Sequence, residues 1–398
     1  MAEPYDLVVT AGTVITPERT FRDGGVAVRA GVIERVAPRG QLAEVPARER
    51  LDSPEGFLTP GLIDLHNQGV LGHDVWDSEP EDYAQWMRGL ARFGVTSFQV
   101  TTTFERGRFP RVVELTRPYP GGAEALGIYL EGPFISQAKR GAIPPGLVSG
   151  PAPDLLEEIL DVAEGKLRMM AVAPERPDAR AVAERLQNAG VRVAIGHTDA
   201  TFEETQRFLP FASNVTHCYN AMRGFHHRDP GTVGAVLLAE GLPVELIADG
   251  VHVHPAALQL ALRLKGVEAV SLVTDAIQAA GLPDGEFRSH RHGETIHIVN
   301  GESRLADGTL AGSTLTMDRA VRNMMKFAGS SLAEAVRMAT LTPARAAGAD
   351  GRKGALAPGK DADLALLSEE MLVVATVVGG RVVFRAPQVV EERRRWVR

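Results

Sequence analysis

Six side chains able to bind a metal or move a proton each stand at the end of an apolar run in this 398-residue chain. His66, with Gln68 two residues on, ends "FLTPGLIDLH", and Glu131 ends the apolar part of "IYLEGPF". His197 follows "VAIG", His217 closes "SNVTH", His252 follows "IADGV" and Asp275 closes "SLVTD". Ligands of the type Glu, His and His around an open fourth position form a catalytic zinc set, and the same donors suit iron or another divalent ion. Such a set supports hydrolysis, because a bound cation lowers the pKa of water from about 15.7 to about 7. Taken singly, a histidine after a strand is more often a loop or core residue bonded to backbone, and a lone Glu an ion-pair member. Taken together, their repeated position at run ends points to one site.

The elements that carry these residues follow one rhythm. Short β-rich runs fall near 57–65, 94–102, 125–131, 167–173, 191–196, 213–217, 244–249 and 269–274. Between them, segments such as "PEDYAQWMRGLARFG", "PDLLEEILDVAEGK" and "PAALQLALRLKG" space apolar residues three and four apart and mostly end in Gly. Eight alternations imply a parallel sheet closed as a (β/α)8 TIM barrel, with a doubly wound open sheet as the alternative. All six residues then lie at the C-terminal mouth, where residues of different strands converge.

Both ends read as all-β, and neither has the strands for a core alone, so the expectation is one small β-sandwich formed by both termini. The expected division is 1–55 and 351–398 for the sandwich and 56–350 for the barrel, with a β-hairpin insertion near 284–312 over its mouth. His226 and His227 in "RGFHHRDPG", and His290, His292 and His297 in the insertion, read as surface residues. Cys218 points away from His217 if both lie in a strand, and reads as structural.

Composition excludes several classes. No stretch approaches the roughly 20 apolar residues of a membrane span, and the start "MAEPYDLVVT" lacks the features of a signal peptide, so a cytoplasmic protein without a membrane partner is expected. A single cysteine excludes an intrachain disulfide and fits a reducing compartment. A net charge of −7 argues against general nucleic-acid binding.

The strings "PGLIDLHNQG", "LEGPF", "GHTDA", "THCYNAM", "HRDPG", "IADGVHVH", "VTDAI", "LAGSTLTM" and "GALAPGKDADLALL", in this order, resemble the amidohydrolase superfamily and, within it, the N-acetylglucosamine-6-phosphate deacetylases. "LEGPF", "THCYNAM" and "HRDPG" are the sharper motifs, while "GLIDLH", "VTDA" and "PGKDADL" occur widely in the superfamily. The resemblance implies that Glu131, His197 and His217 hold one divalent metal per chain, zinc first, with iron, cobalt or manganese as alternatives. It implies Asp275 as the acid/base, His252 as a substrate contact, and Asn220, Ala221 and Arg228 as binders of a sugar phosphate. It further implies a homodimer and deacetylation of N-acetylglucosamine 6-phosphate.

Relatives vary at the first strand, some with His-x-His and two metals, others with Gln-x-Asn and one. His66 and Gln68 are a hybrid, and a neutral amide offers a cation no charge, so these two should line the pocket or support a weak second ion. In "HRDPGTVGAVLLAE", Asp229 is expected as an N-cap with Pro230 in the first turn, presenting helix N–H groups beside Arg228. The competing readings are an amidohydrolase for another N-acyl compound and a silent barrel that binds metal or sugar phosphate.

Overall fold

A computed structural model describes residues 3–16, 19–76, 79–289, 293 and 295–387. Its centre is a parallel sheet of six strands in sequential order: Leu62–Asn67, Val95–Thr102, Glu124–Leu130, Leu167–Val172, Arg192–Ile195 and Asn214–Val215. Strands seven and eight, Val244–Ile247 and Val270–Val273, pair parallel with each other. Single hydrogen bonds join the pair to both sides of the six. Cys218 N donates to Glu245 O at 2.8 Å, Asp275 N to His66 O at 2.8 Å and Gln68 N to Ala276 O at 2.9 Å. The strands therefore curl until the end of the eighth reaches the end of the first.

These strands are largely buried on both faces, as a parallel sheet covered by helices requires. The covering helices begin and stop where local chemistry dictates. Pro80–Ala91, Pro153–Val162 and Pro255–Lys265 open on proline, whose missing N–H costs nothing in a first turn. Met317–Ala328 ends at Gly329, whose φ of 73° closes the helix in the left-handed region. Leu90, Ile159, Leu186, Leu258 and Met324 turn inward to one continuous core.

The apolar run expected as one strand over 57–65 is split between two sheets. Residues up to Pro60 belong to the long strand Ala47–Pro60, and the parallel strand starts at Leu62. The break falls at Gly61, where any Cβ would collide with the Thr96 side chain, next to a proline without an N–H. Ala47–Pro60 joins a seven-stranded sheet built from both chain ends, in the order Arg381–Arg385, Val373–Val378, Leu364–Leu367, Ala47–Pro60, Tyr5–Ile15, Thr20–Arg29 and Val32–Pro38. Leu58 pairs with Leu366 across the junction. Val9, Val26, Leu58, Leu364 and Val377 share a separate apolar cluster.

The insertion exceeds a hairpin. Three antiparallel strands form it, Gly285–Arg288, Thr295–Val299 and Glu302–Arg304. His290 and His292 lie outside the described residues. No helix among the described residues is long and apolar enough to cross a membrane.

Candidate active site

The strand ends deliver their side chains to one point, the carboxylate oxygen Oε1 of Glu131. His197 Nε2 stands 3.2 Å from it, His66 Nε2 3.3 Å and His217 Nε2 3.4 Å. His197 and His217 bring their Nε2 atoms to 3.1 Å of each other. His66, Glu131 and His217 offer donor atoms all within 4.8 Å of one another. The expected set of Glu131, His197 and His217 therefore gathers, and His66 gathers with it.

The backbone turns sharply to achieve this. His197, His217 and Asp275 have φ values of 49°, 23° and 50°, a region that side chains other than glycine rarely adopt. Such strain costs on the order of 1–3 kcal/mol per residue and persists only where neighbours over-determine it. Here they do. Ser136 N donates to His197 O at 2.8 Å, Asn220 N to His217 O at 3.0 Å, and Ser313 N to Asp275 O at 2.7 Å.

Burial and charge then set the ionisation. Glu131 is buried, which opposes its charge, yet His66 and hydrogen bonds from His197 and His217 hold its pKa well below the ordinary carboxylate value. Burial lowers the pKa of His197 and outweighs its bond to Glu131. Burial opposes charge on His66 as well, but Glu131, Glu245 and Asp275 together raise its pKa well above normal.

The donor chemistry fits a divalent cation. His66 Nε2 is buried with no hydrogen-bond partner. Two imidazole nitrogens face each other, and one proton between them satisfies only one pair, whereas a cation among the four groups would satisfy all. His197 Nδ1 lies 3.0 Å from Lys139 O, and His66 Nδ1 lies 3.2 Å from Glu245 Oε2. A proton on each Nδ1 leaves Nε2 free to accept a metal.

Around the cluster lies a cavity of about 270 Å³. His252, Asp275, Asn220 and Ala221 line it, with Thr309 and Leu310 from beyond the insertion's third strand. Gln68 Nε2 donates to Asp275 Oδ1 at 2.7 Å, so the amide serves the candidate acid/base. His252 Nδ1 is 2.6 Å from Asp249 Oδ2. Burial lowers the His252 pKa, but the Asp249 carboxylate more than compensates and the net shift is upward.

Arg228 is not among the residues lining this cavity. It stands on an exposed loop with Nη1 2.7 Å from His227 Nε2. The Asp229 cap expected beside it is absent: the helix runs Gly231–Leu238 with Pro230 as N-cap and no side-chain capping bond. The Asp229 carboxylate lies 3.8 Å from Arg223 Nη1 instead. His226 and His227 are exposed and His297 half-buried on the insertion, while Cys218 is fully buried.

A model of the Amidohydrolase family matches residues 57–383. The chain belongs to that family. The N-acetylglucosamine-6-phosphate deacetylase of Lysinibacillus sphaericus is 36% identical over 383 residues, covering 94% of this chain and 97% of its own. The N-acetylgalactosamine-6-phosphate deacetylase of Escherichia coli O157:H7 is 38% identical over 380 residues, covering 94% and 98%. A Mycobacterium smegmatis N-acetyl-D-glucosamine-6-phosphate deacetylase mutant, solved with N-acetyl-D-glucosamine 6-phosphate, superposes with a TM-score of 0.87 at 33% identity, covering 96% of this chain and 100% of that one.

Glu245 is the residue of this amidohydrolase that sequence reasoning missed. It is fully buried on strand seven, where its Oε1 accepts from Asn214 Nδ2 at 2.6 Å. Its Oε2 meets His66 Nδ1 and accepts from His217 N at 3.1 Å. The available signal was a lone carboxylate inside the apolar run "VELIA". Asp64 is a second such residue, buried between Thr274 and Asn67, with burial pushing its pKa up to about 6.

Proposed function

We propose that this amidohydrolase removes the acetyl group of N-acetylglucosamine 6-phosphate, giving glucosamine 6-phosphate and acetate. The observation that carries the reading is the meeting of His66, His197 and His217 on one Glu131 oxygen, beside a cavity that Asp275 and His252 also line. The named relatives supply the sugar phosphate.

A divalent ion held by Glu131, His197 and His217, zinc first among the candidates, would supply Lewis-acid activation of water and of the amide carbonyl. Asp275 takes the proton of the attacking water and delivers it to the departing amine nitrogen. Gln68 holds the Asp275 carboxylate in place by its 2.7 Å bond. His252, anchored through Nδ1, donates from Nε2 to the carbonyl oxygen as negative charge develops there. His66 Nε2 strengthens the same centre and does not build a second tight one, because Gln68 adds no charge.

Asn220 and Ala221 contact the sugar from the cavity wall, and Arg228 binds its phosphate. The Arg228 loop is exposed, and Phe225 on it is 65% accessible, which favours completion of the phosphate pocket across a homodimer. We read the eight strands as a closed (β/α)8 barrel over 56–350 and the seven-stranded sheet as a sandwich folded from 1–55 and 351–398, of which 1–2, 17–18 and 388–398 lie outside the described residues, in a cytoplasmic enzyme. The Escherichia coli O157:H7 relative supports a second reading, N-acetylgalactosamine 6-phosphate as substrate. Acetate release from each phosphorylated sugar, with and without a chelator, tests both. Release from neither by metal-loaded protein would refute the proposal.

A further inference from the structure

At the opposite end of the parallel strands lies a second cleft, of about 500 Å³. Lys166 stands just before strand four, Arg168 is its second residue and Arg192 opens strand five, so the strand starts gather three cations on one wall. Arg352 lines the cleft as well but is already neutralised. It pairs with Glu124 and lies 2.5 Å from Asp361, while the neighbouring Lys353 is 2.6 Å from Asp363. Among the described residues, Lys166, Arg168 and Arg192 have no carboxylate partner and no side-chain hydrogen bond.

Two of the three nonetheless pack against glycine backbone. A Cβ at Gly127 would collide with Arg168 Cγ, and one at Gly348 would crowd the Arg192 guanidinium. The two arginines thus lie on bare glycine backbone and keep their charged ends unengaged. In a chain of net charge −7, three like charges lining one cleft repel one another, because the cleft's own carboxylate, Glu124, is taken up by Arg352 and Lys353, and a bound anion relieves that repulsion.

We propose that this cleft binds a small molecule through a phosphoryl group, with Arg168, Arg192 and Lys166 as its contacts. Guanidinium forks match phosphate oxygens two at a time, and the ammonium of Lys166 adds a point charge. The cleft volume falls within the roughly 300–1,000 Å³ of small-ligand sites, and its concave shape on an acidic chain favours a compact anion over a nucleic-acid track. The inference is independent of the chemistry assigned to the other end.

The test uses the metal-loaded full chain at constant ionic strength, with glucose 6-phosphate, inorganic phosphate and plain glucose as probes. Phenylglyoxal modification of Arg168 and Arg192 is followed by peptide mass mapping. Either phosphate probe should slow modification of both arginines about tenfold, as roughly 90% occupancy gives, and the probe that protects at lower concentration identifies ester or free phosphate as the source. Calorimetry should show a binding event, separate from any at the Arg228 site, that Arg168→Gln/Arg192→Gln removes and Arg228→Ala retains, with deacetylation kinetics unchanged in the double variant. Absence of protection, or equal protection by glucose or by sodium chloride of matched ionic strength, overturns the proposal.

Discussion

Replacing Glu245 by Gln tests whether the buried carboxylate behind the cluster makes His66 a metal ligand. The side chain meets three donors in the folded chain: His66 Nδ1 at 3.2 Å, His217 N at 3.1 Å and Asn214 Nδ2 at 2.6 Å. Gln preserves the volume and one acceptor oxygen but turns an NH2 group toward one of them. Asn214 can absorb that change, because its Oδ1 is buried without a partner and a flip of its amide presents that oxygen to the new donor. The overall fold then loses little. His66 and His217 keep an acceptor, but a neutral one, and hydrogen bonds to charged groups are worth about twice those to neutral groups. Loss of such an outer partner costs metal affinity about 10–100-fold, or about 1.4–2.7 kcal/mol. Competition with a chromophoric chelator gives the affinity, and the Tm of the metal-free protein reports the fold. Unchanged affinity alongside a large fall in Tm would show that Glu245 serves packing alone and refute the reasoning.

Asp275→Asn should lower kcat by about 10²–10⁴-fold, the usual worth of a general acid–base, while metal content measured by mass spectrometry stays the same. Protein purified without chelator should hold one tight metal equivalent per chain; two would show that His66 and Gln68 build a full second site. Asp249→Asn removes the carboxylate that raises the His252 pKa, so the basic limb of the kcat/KM profile should move to lower pH. The sign follows from the protonated donor: Nδ1 serves Asp249, so Nε2 donates only in the imidazolium, and activity is lost as pH rises through the raised pKa. The stability contributed by the pair follows the same direction, being complete below the unfolded pKa and lost above the folded one. Arg228→Ala should raise KM for the phosphorylated sugar by more than for plain N-acetylglucosamine; equal effects would remove Arg228 from phosphate binding.

What was legible in the sequence depended on whether a residue's role follows from local pattern. Apart from the first, the parallel strands could be read to within two residues, because most of their residues are buried on both faces and their sequences are correspondingly rich in apolar and β-branched side chains. The split at Gly61 was not legible, since a run shared between two sheets looks like one strand until Thr96 is seen to press on that glycine. The expected Asp229 cap failed for a related reason: capping preference is local, and in the folded chain the Asp229 backbone is bridged to His226 while the helix starts one residue later, with Pro230 as its N-cap. The strand-end residues that gather on Glu131 were legible because position in the alternation is itself the signal. The strained turns at His197, His217 and Asp275 carry no glycine to announce them. Glu245 was hidden most deeply, because a carboxylate in an apolar strand is interpretable only through its partners, and Asn214, His217 and His66 come from strands six and one or their ends. That placement has a physical consequence. The same buried side chain touches strand six on one side and the end of strand one on the other, across the two junctions where the curled sheet is held by only a few backbone bonds. Metal affinity and closure of the sheet are therefore coupled through Glu245: a cation that fixes His66 also fixes the seam, and metal removal should speed amide exchange at Cys218 and Asp275 before it does so in the middle of strands two to four.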